Sequence, residues 1–202
     1  MAERLTGISG SMFSGKTAEL IRLVERAEFA DMRVQVFKPL IDDRWGKVDQ
    51  IRSHSGAEHN AVSVKRSLDI LENLNPETGV VAIDEIQFFD VEIVGVIDEL
   101  LDRNILVIFA GLPLDFRGEA FGQMPVLLAK ADGLTKVTAI CTHSENGEIC
   151  GAEATRTQRL VDSLPANYDD PIILIGAEES YSPRCPQHHI VPGKPIRKIS
   201  TP

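Results

Sequence analysis

The densest chemistry lies near the amino end, where Gly10-Ser11-Met12-Phe13-Ser14-Gly15-Lys16-Thr17 satisfies the pattern G-x-x-x-x-G-K-[ST] at every fixed position. Glycines at those two places let the backbone turn tightly enough for consecutive N–H groups to face phosphate oxygens, with Ser9 leading into the turn. A helix beginning directly after the loop adds a favourable dipole. In that setting Lys16 reaches the β and γ phosphates of a bound nucleotide, and the Thr17 hydroxyl reaches Mg²⁺. Such a loop needs an acid at the end of a buried strand. Val80-Val81-Ala82-Ile83-Asp84-Glu85 supplies one: Asp84 suits the magnesium, and Glu85 beside it can take the proton from an attacking hydroxyl as general base.

A second group of reactive side chains lies near the other end. Cys185-Pro186-Gln187-His188 is C-x2-H, half of a tetrahedral zinc site, and Cys141 with Cys150 can supply the other half. All three cysteines and three of the five histidines fall between Cys141 and His189, together with Pro165, Pro171, Pro183 and Pro186. This change of character marks a second, metal-dependent unit. Three cysteines in a chain expected to be intracellular argue against a disulfide framework.

The elements that must position these groups alternate. Arg4–Ser9 reads as a strand, the glycine loop comes next, and residues 17–30 carry apolar positions at Leu20, Ile21, Leu23, Val24 and Ala27, spaced as in a helix. Arg33–Lys38 reads as a second strand closed by Pro39, and the polar stretch Ile41–Asn60 as a surface loop. Val80–Ile83 and Ile105–Ala110 are continuous apolar runs, the mark of strands buried on both faces. Helices are expected over Val91–Leu101 and Phe121–Ala131, and a last strand over Lys136–Ile140. Alternation of this kind predicts an α/β fold: a mainly parallel P-loop sheet with helices on both faces. The expected division is a nucleotide-binding domain over residues 1–140, a zinc-binding unit over 141–192 and a flexible tail over 193–202.

Composition narrows the function. At 202 residues, 43% hydrophobic and 25% charged, the chain can bury a core, which excludes disorder, collagen and coiled coil as descriptions of the whole. A net charge of −9, without a local basic patch, disfavours a nucleic-acid partner. Apolar runs such as Ile105–Leu112 fall short of a bilayer span, and Met1–Arg4 opens no signal-peptide pattern, so no membrane contact and a cytoplasmic location are expected. A Ras-like GTPase would need an Asn-Lys-x-Asp segment, which is absent, and motor or helicase ATPases need more chain. Small-molecule phosphotransferases or a small regulatory ATPase remain.

Four segments then become specific: Gly10–Thr17, Asp84-Glu85-Ile86-Gln87-Phe88-Phe89, Gly111-Leu112-Pro113-Leu114-Asp115-Phe116-Arg117-Gly118 and Thr155-Arg156-Thr157-Gln158-Arg159-Leu160. Together they resemble the type II thymidine kinases, the cytosolic kind of bacteria and animals, from about Leu5 to His188. The resemblance implies transfer of the γ-phosphoryl of ATP to the 5′-hydroxyl of thymidine, or of deoxyuridine, giving the monophosphate used in pyrimidine salvage for DNA synthesis. It assigns Glu85 as general base, Lys16 and Thr17 to phosphate and Mg²⁺, and Asp84 and Gln87 to the nucleotide site. It places Asp42 near the deoxyribose 3′-hydroxyl and Arg44 near the reacting phosphates. Met12, Phe88, Leu112, Phe116 and Phe121 match positions enclosing the thymine ring, an apolar slot suited to a flat, methylated base. A zinc-anchored lasso loop over residues 166–183 is implied as well. Its stem carries Thr157 and Arg159 and its far arm Ile175, Gly176 and Tyr181, all matching nucleoside contacts. Relatives are usually homotetramers inhibited by the end product thymidine triphosphate.

The chain departs from the family where C-x2-C is usual: eight residues separate Cys141 from Cys150, a six-residue insertion within Thr142–Ile149. Cys141, Cys150, Cys185 and His188 are the expected zinc ligands, with His143 or His189 as replacements. Pro113 stands where many relatives carry an acid. Two rival functions stay open: a P-loop kinase of another nucleoside, and a non-enzymatic, nucleotide-dependent zinc-ribbon switch. The acidic net charge and the presence of Glu85 count against the switch.

Overall fold

A computed structural model describes residues 3–40, 50–54, 56–173 and 181–196. Its centre is a six-stranded parallel sheet built from β1 (Leu5–Ser9), β2 (Val34–Pro39), β5 (Val62–Val64), β6 (Val80–Ile83), β7 (Leu106–Gly111) and β8 (Gly133–Lys136). Their order is β5-β2-β6-β7-β1-β8, and every pairing is parallel. The α/β P-loop architecture expected from the alternation is therefore the one observed.

Alternation along each strand decides which face a side chain serves. Leu5, Phe37, Val81, Ile83, Val107 and Phe109 point to one face and meet helices α3 (Ile93–Asp102) and α4 (Met124–Lys130) through Ile93, Ile97, Leu100, Met124 and Leu127. The short α2 (Leu68–Glu72) adds Ile70 to the same cluster. Ile8, Val36, Ala82 and Ala110, displaced by odd steps, point the other way and meet Leu20, Ile21 and Val24 of α1 (Lys16–Phe29). Burying each of those three α1 side chains is worth about 1.5–3 kcal/mol, far more than the few tenths by which their helix propensities differ. One cross-strand row, Phe37–Ile83–Phe109–Gly7–Leu134, runs through five strands in register. Gly7 is where that row has no side chain, and the Phe109 ring lies so close that an added Cβ would sit 2.7 Å from its Cζ.

Several boundaries differ from the sequence expectations. Part of the stretch read as a loop forms a hairpin, β3 (Gln50–Arg52) with β4 (Glu58–Asn60). The helix expected over Phe121–Ala131 begins only at Met124, with Pro125 in its first turn. The strand expected at Lys136–Ile140 is Gly133–Lys136, because pairing of Thr6 with Gly133 and Ser9 with Lys136 sets the register. Ala139–Ile140 is a separate strand, β9, antiparallel to β12 (Glu153–Ala154). Beyond it, β13 (Arg156–Val161) pairs with both β14 (Leu164–Pro165) and β15 (Tyr181–Arg184). Ala139, Cys141, Ala154 and Cys185 form a third buried cluster around these short strands.

Candidate active site

The carboxyl ends of β1, β7 and β6 lie side by side, so the segments leaving those three strands converge at one edge of the sheet. After β1 the chain enters the glycine loop. Gly15 sits in the left-handed region at φ 86°, immediately before α1, where a Cβ would be disfavoured. Phe13 also has positive φ, 64°. Gly10 is required by space: an added Cβ would lie 2.4 Å from both Ser14 Oγ and the Val137 carbonyl. Ser14 Oγ and Lys16 Nζ both donate to the Ser11 carbonyl, at 2.7 and 2.9 Å, closing the loop on itself. Lys16 is 7% exposed, so its ammonium is held against the backbone instead of trailing in solvent.

Thr17 Oγ1 donates to Asp84 Oδ2 at 2.9 Å, which joins the first turn of α1 to the end of β6. Asp84 is buried, and its other oxygen accepts the Glu85 N–H at 2.9 Å. Glu85 itself is left-handed, φ 49°, ahead of the short 3₁₀ turn Ile86–Phe88. For a residue with a Cβ that conformation carries strain of order 1–3 kcal/mol, held here by the Asp84 contact and the buried turn. Buried Gln87 donates from Nε2 to Glu85 Oε2 at 2.5 Å and accepts the Leu112 N–H on Oε1 at 2.9 Å. One amide thus fixes the acid to the strand end of β7.

The remaining sequence-selected residues are joined in pairs. Met12 N–H donates to Thr157 Oγ1 at 3.0 Å, and Ser11 Oγ donates to the Ala154 carbonyl at 2.9 Å, stitching the loop to β13 and β12. Phe88 and Phe121 meet edge to face, their centroids 5.4 Å apart. Leu112, Phe116, Thr157 and Arg159 are buried, and the Arg159 guanidinium lies over the Phe116 ring, 5.4 Å from its centroid. Tyr181 pairs with Arg159 across β13–β15. Asp42, Arg44, Ile175 and Gly176 lie outside the described residues.

Cys141, Cys150, Cys185 and His188 place one ligand atom each within 4.8 Å of one another. His188 Nδ1 lies 3.4 Å from Cys185 Sγ and 3.7 Å from Cys141 Sγ, close to the edge of about 3.5 Å expected for a tetrahedron with zinc-length bonds. Burial raises the Cys141 thiol, but the N–H groups of Cys185 and His143 outweigh it and bring its pKa to about 6. For Cys150 the Ala152 N–H favours thiolate, yet desolvation and the neighbouring Cys141 and Cys185 push its pKa up. A divalent ion would relieve that crowding of sulfurs, so the donor set fits zinc. The six-residue insertion does not dislocate the set. Ser144–Glu145 (β10) and Glu148–Ile149 (β11) pair around Asn146 and Gly147, at φ 53° and 86°, a two-residue hairpin that returns Cys150 to Cys141. Cys150 N–H donates to the His143 carbonyl at 2.8 Å at its base. His143 stacks on His188 with centroids 4.1 Å apart, outside the group of four ligand atoms.

Two groups at the site lie within a segment that carries the resemblance but were given no role of their own. Asp115, 5% exposed, accepts the N–H groups of Arg117 and Glu119 and shapes the turn after β7. Arg117 lies over both Phe116 and Tyr168. The first is an Asx turn, a signal available in Asp-x-Arg-Gly-Glu; the second depends on a partner some fifty residues away.

A family profile described as thymidine kinase matches residues 4–189. The chain belongs to the thymidine kinase family. Membership covers both the glycine loop and the cysteine cluster, and agrees with the resemblance carried by the four segments. Among solved structures, one titled as the crystal structure of a DNA replication initiation factor is 15% identical over 67% of this chain, with a TM-score of 0.41. The chain spans 40% of that structure's chain, and so remote a likeness bears on neither fold nor function here. Among the described residues no helix is long and apolar enough to cross a membrane.

Proposed function

We propose that this member of the thymidine kinase family transfers the γ-phosphoryl group of ATP to the 5′-hydroxyl of thymidine, or of deoxyuridine, releasing ADP and the nucleoside monophosphate. The observation that carries the reading is the chain of contacts Thr17–Asp84–Glu85–Gln87–Leu112, which sets an acid beside a complete phosphate loop. In this reading the N–H groups of residues 10–17 and Lys16 hold the triphosphate, with Ser9 at the loop's entrance. Thr17 and Asp84 offer oxygens to Mg²⁺, which when bound neutralises charge on the β and γ phosphates. Glu85 accepts the proton of the 5′-hydroxyl as its oxygen bonds to phosphorus and the bridging oxygen leaves with ADP. Met12, Phe88, Leu112, Phe116 and Phe121 exclude water, the competing acceptor, and enclose the base. Asp42, Arg44, Thr157, Arg159, Ile175, Gly176 and Tyr181 complete the nucleoside site.

Zinc at the cysteine cluster would tie β9, β12 and β15 together and so brace the stem of the lasso. The proposed division is into a nucleotide-binding part (residues 1–140), a zinc and lasso part (141–192) and a tail (193–202); what supports it is that the six parallel strands end in sequence with β8, while β13, β14 and β15 form a sheet of their own. A cytoplasmic homotetramer inhibited by thymidine triphosphate accords with the family reading. The test is an assay with ATP, Mg²⁺ and a panel of nucleosides. Thymidine and deoxyuridine should be phosphorylated well above purine nucleosides, with the methyl group worth about 1–3 kcal/mol between the two. Folded protein that phosphorylates none of them would reject the proposal.

A further inference from the structure

Arg117, in the segment after β7, reaches the 166–173 arm through contacts that the phosphate loop does not explain. The Arg117 guanidinium lies 4.7 Å from the centroid of the Tyr168 ring and 5.5 Å from that of Phe116, and its Nη2 donates to the Asp170 carbonyl at 2.9 Å. Tyr168 in turn donates its hydroxyl to the Glu119 carboxylate, at 3.2 and 3.3 Å to the two oxygens, and its N–H to the Pro192 carbonyl at 2.8 Å. Arg159, 4% exposed, reaches the next carbonyl along the same arm, that of Pro171, while its guanidinium lies over Phe116. Two cations therefore share the face-forming ring Phe116, itself 3% exposed, and each holds one of two consecutive carbonyls of the arm.

Neither guanidinium has a carboxylate within ion-pair distance among the described residues, and the Nε of each is buried without a hydrogen-bond partner. A charge placed so is expensive unless aromatic faces and oriented carbonyls offset it. Phe116 stays with the segment after β7, but the two carbonyls and the Tyr168 ring are offered only while the arm is in place. Detaching the arm removes the Asp170 carbonyl and the Tyr168 ring from Arg117 and the Pro171 carbonyl from Arg159, so the guanidinium groups favour the attached state.

We propose that Arg117 is a positioning residue of the nucleoside pocket: it fastens the 166–173 arm to the back of Phe116 and so holds that ring at the width the base requires. The inference rests on the reading of Phe116 as a wall of the base slot. It assigns Arg117 no contact with the reacting atoms. Losing the fastening should weaken binding of the nucleoside and leave binding of ATP, which the loop at residues 10–17 holds, largely untouched.

The experiment compares wild type, Arg117→Met and Arg117→Lys by steady-state kinetics and by amide hydrogen exchange of the unliganded protein. Methionine keeps an unbranched apolar stem and removes both charge and donors; lysine keeps the charge. For Arg117→Met the thymidine KM should rise about tenfold, ~1.4 kcal/mol, with the ATP KM within about twofold and kcat within about threefold. Amides of residues 166–173 should exchange at least about tenfold faster, with β6 and β7 unchanged. Arg117→Lys should recover part of both effects. An unchanged thymidine KM, an equal rise in the ATP KM, or exchange that accelerates throughout the sheet would each overturn the proposal. If wild type itself phosphorylates no nucleoside, the assigned function fails, and a thymidine dissociation constant measured by calorimetry takes the place of KM. No weakening of it in Arg117→Met, or no measurable thymidine binding by wild type, overturns the positioning role as well.

Discussion

Replacing Gly111 by alanine tests the hydrogen-bond chain at the centre of the site. A Cβ there would lie 2.6 Å from Gln87 Oε1, 2.9 Å from Met124 Sδ and 3.0 Å from Ile86 Cγ2, where contacts normally sit near roughly 3.5 Å. The Gln87 amide is the easiest of the three to displace. Moving it strips the acceptor from the buried Leu112 N–H, costing about 1–3 kcal/mol. Crowding of Met124 and Ile86 adds about 1–2 kcal/mol, and the reduced freedom of the unfolded chain returns about 0.4–1 kcal/mol. The net loss is about 3 kcal/mol, or roughly 6–12 °C in Tm for a chain of this size. The decisive comparison is made in a Gln87→Ala background, where both the clash with Oε1 and the Leu112 bond are already gone. There Gly111→Ala should cost only about 1 kcal/mol. Urea unfolding of the four proteins should therefore give a coupling of about 2 kcal/mol. Additivity within about 0.5 kcal/mol would show that the amide does not occupy the space described, and the link from β7 to Glu85 would fall with it.

Two further outcomes are expected of the same structure. Asp132 Oδ2 accepts the N–H groups of Leu5 and Arg4, and those bonds, the Leu5 bond foremost, hold its carboxyl below the usual aspartate range despite some desolvation. A depressed folded-state value means stability that is fully present above about pH 4 and lost as pH falls through the folded-state value; Asp132→Asn should flatten the fall of Tm in acid, and an unchanged profile would contradict the sign. Metal analysis should find one zinc per chain, and its removal by chelation should lower Tm by several degrees and expose residues 141–154 and 181–189 to protease; a metal-free preparation with wild-type Tm would dismiss the structural role.

How much could be read in advance depended on whether partners were near in sequence. The glycine loop and its flanking β1 and α1 were legible because phosphate binding prescribes residue types at fixed spacing. Val80–Ile83 announced a strand buried on both faces by its continuous apolar run. The hairpin of Gln50–Arg52 and Glu58–Asn60 was hidden because its residues are mostly polar and partly exposed, so no alternation marks it. The three-residue displacement of β8 is a register effect: pairing with β1 and the Asp132 contacts select Gly133–Lys136 over the equally strand-prone Lys136–Ile140. Asn146-Gly147 forms the two-residue turn of a hairpin within the insertion, and it resolves the widened cysteine spacing that sequence alone left open. Arg117 was not legible, since its meaning comes from Tyr168 and Asp170 across the fold.

The central claim is that the acid fixed beside the phosphate loop takes the proton from the acceptor hydroxyl. Glu85→Gln keeps the size of the side chain and its bond to Gln87 in reach while removing the base. Calorimetry of ATP binding and turnover of thymidine, measured on the same preparation, should show affinity within about threefold of wild type and kcat reduced by roughly 10²-fold or more. Wild-type kcat in a variant that binds ATP normally would contradict it.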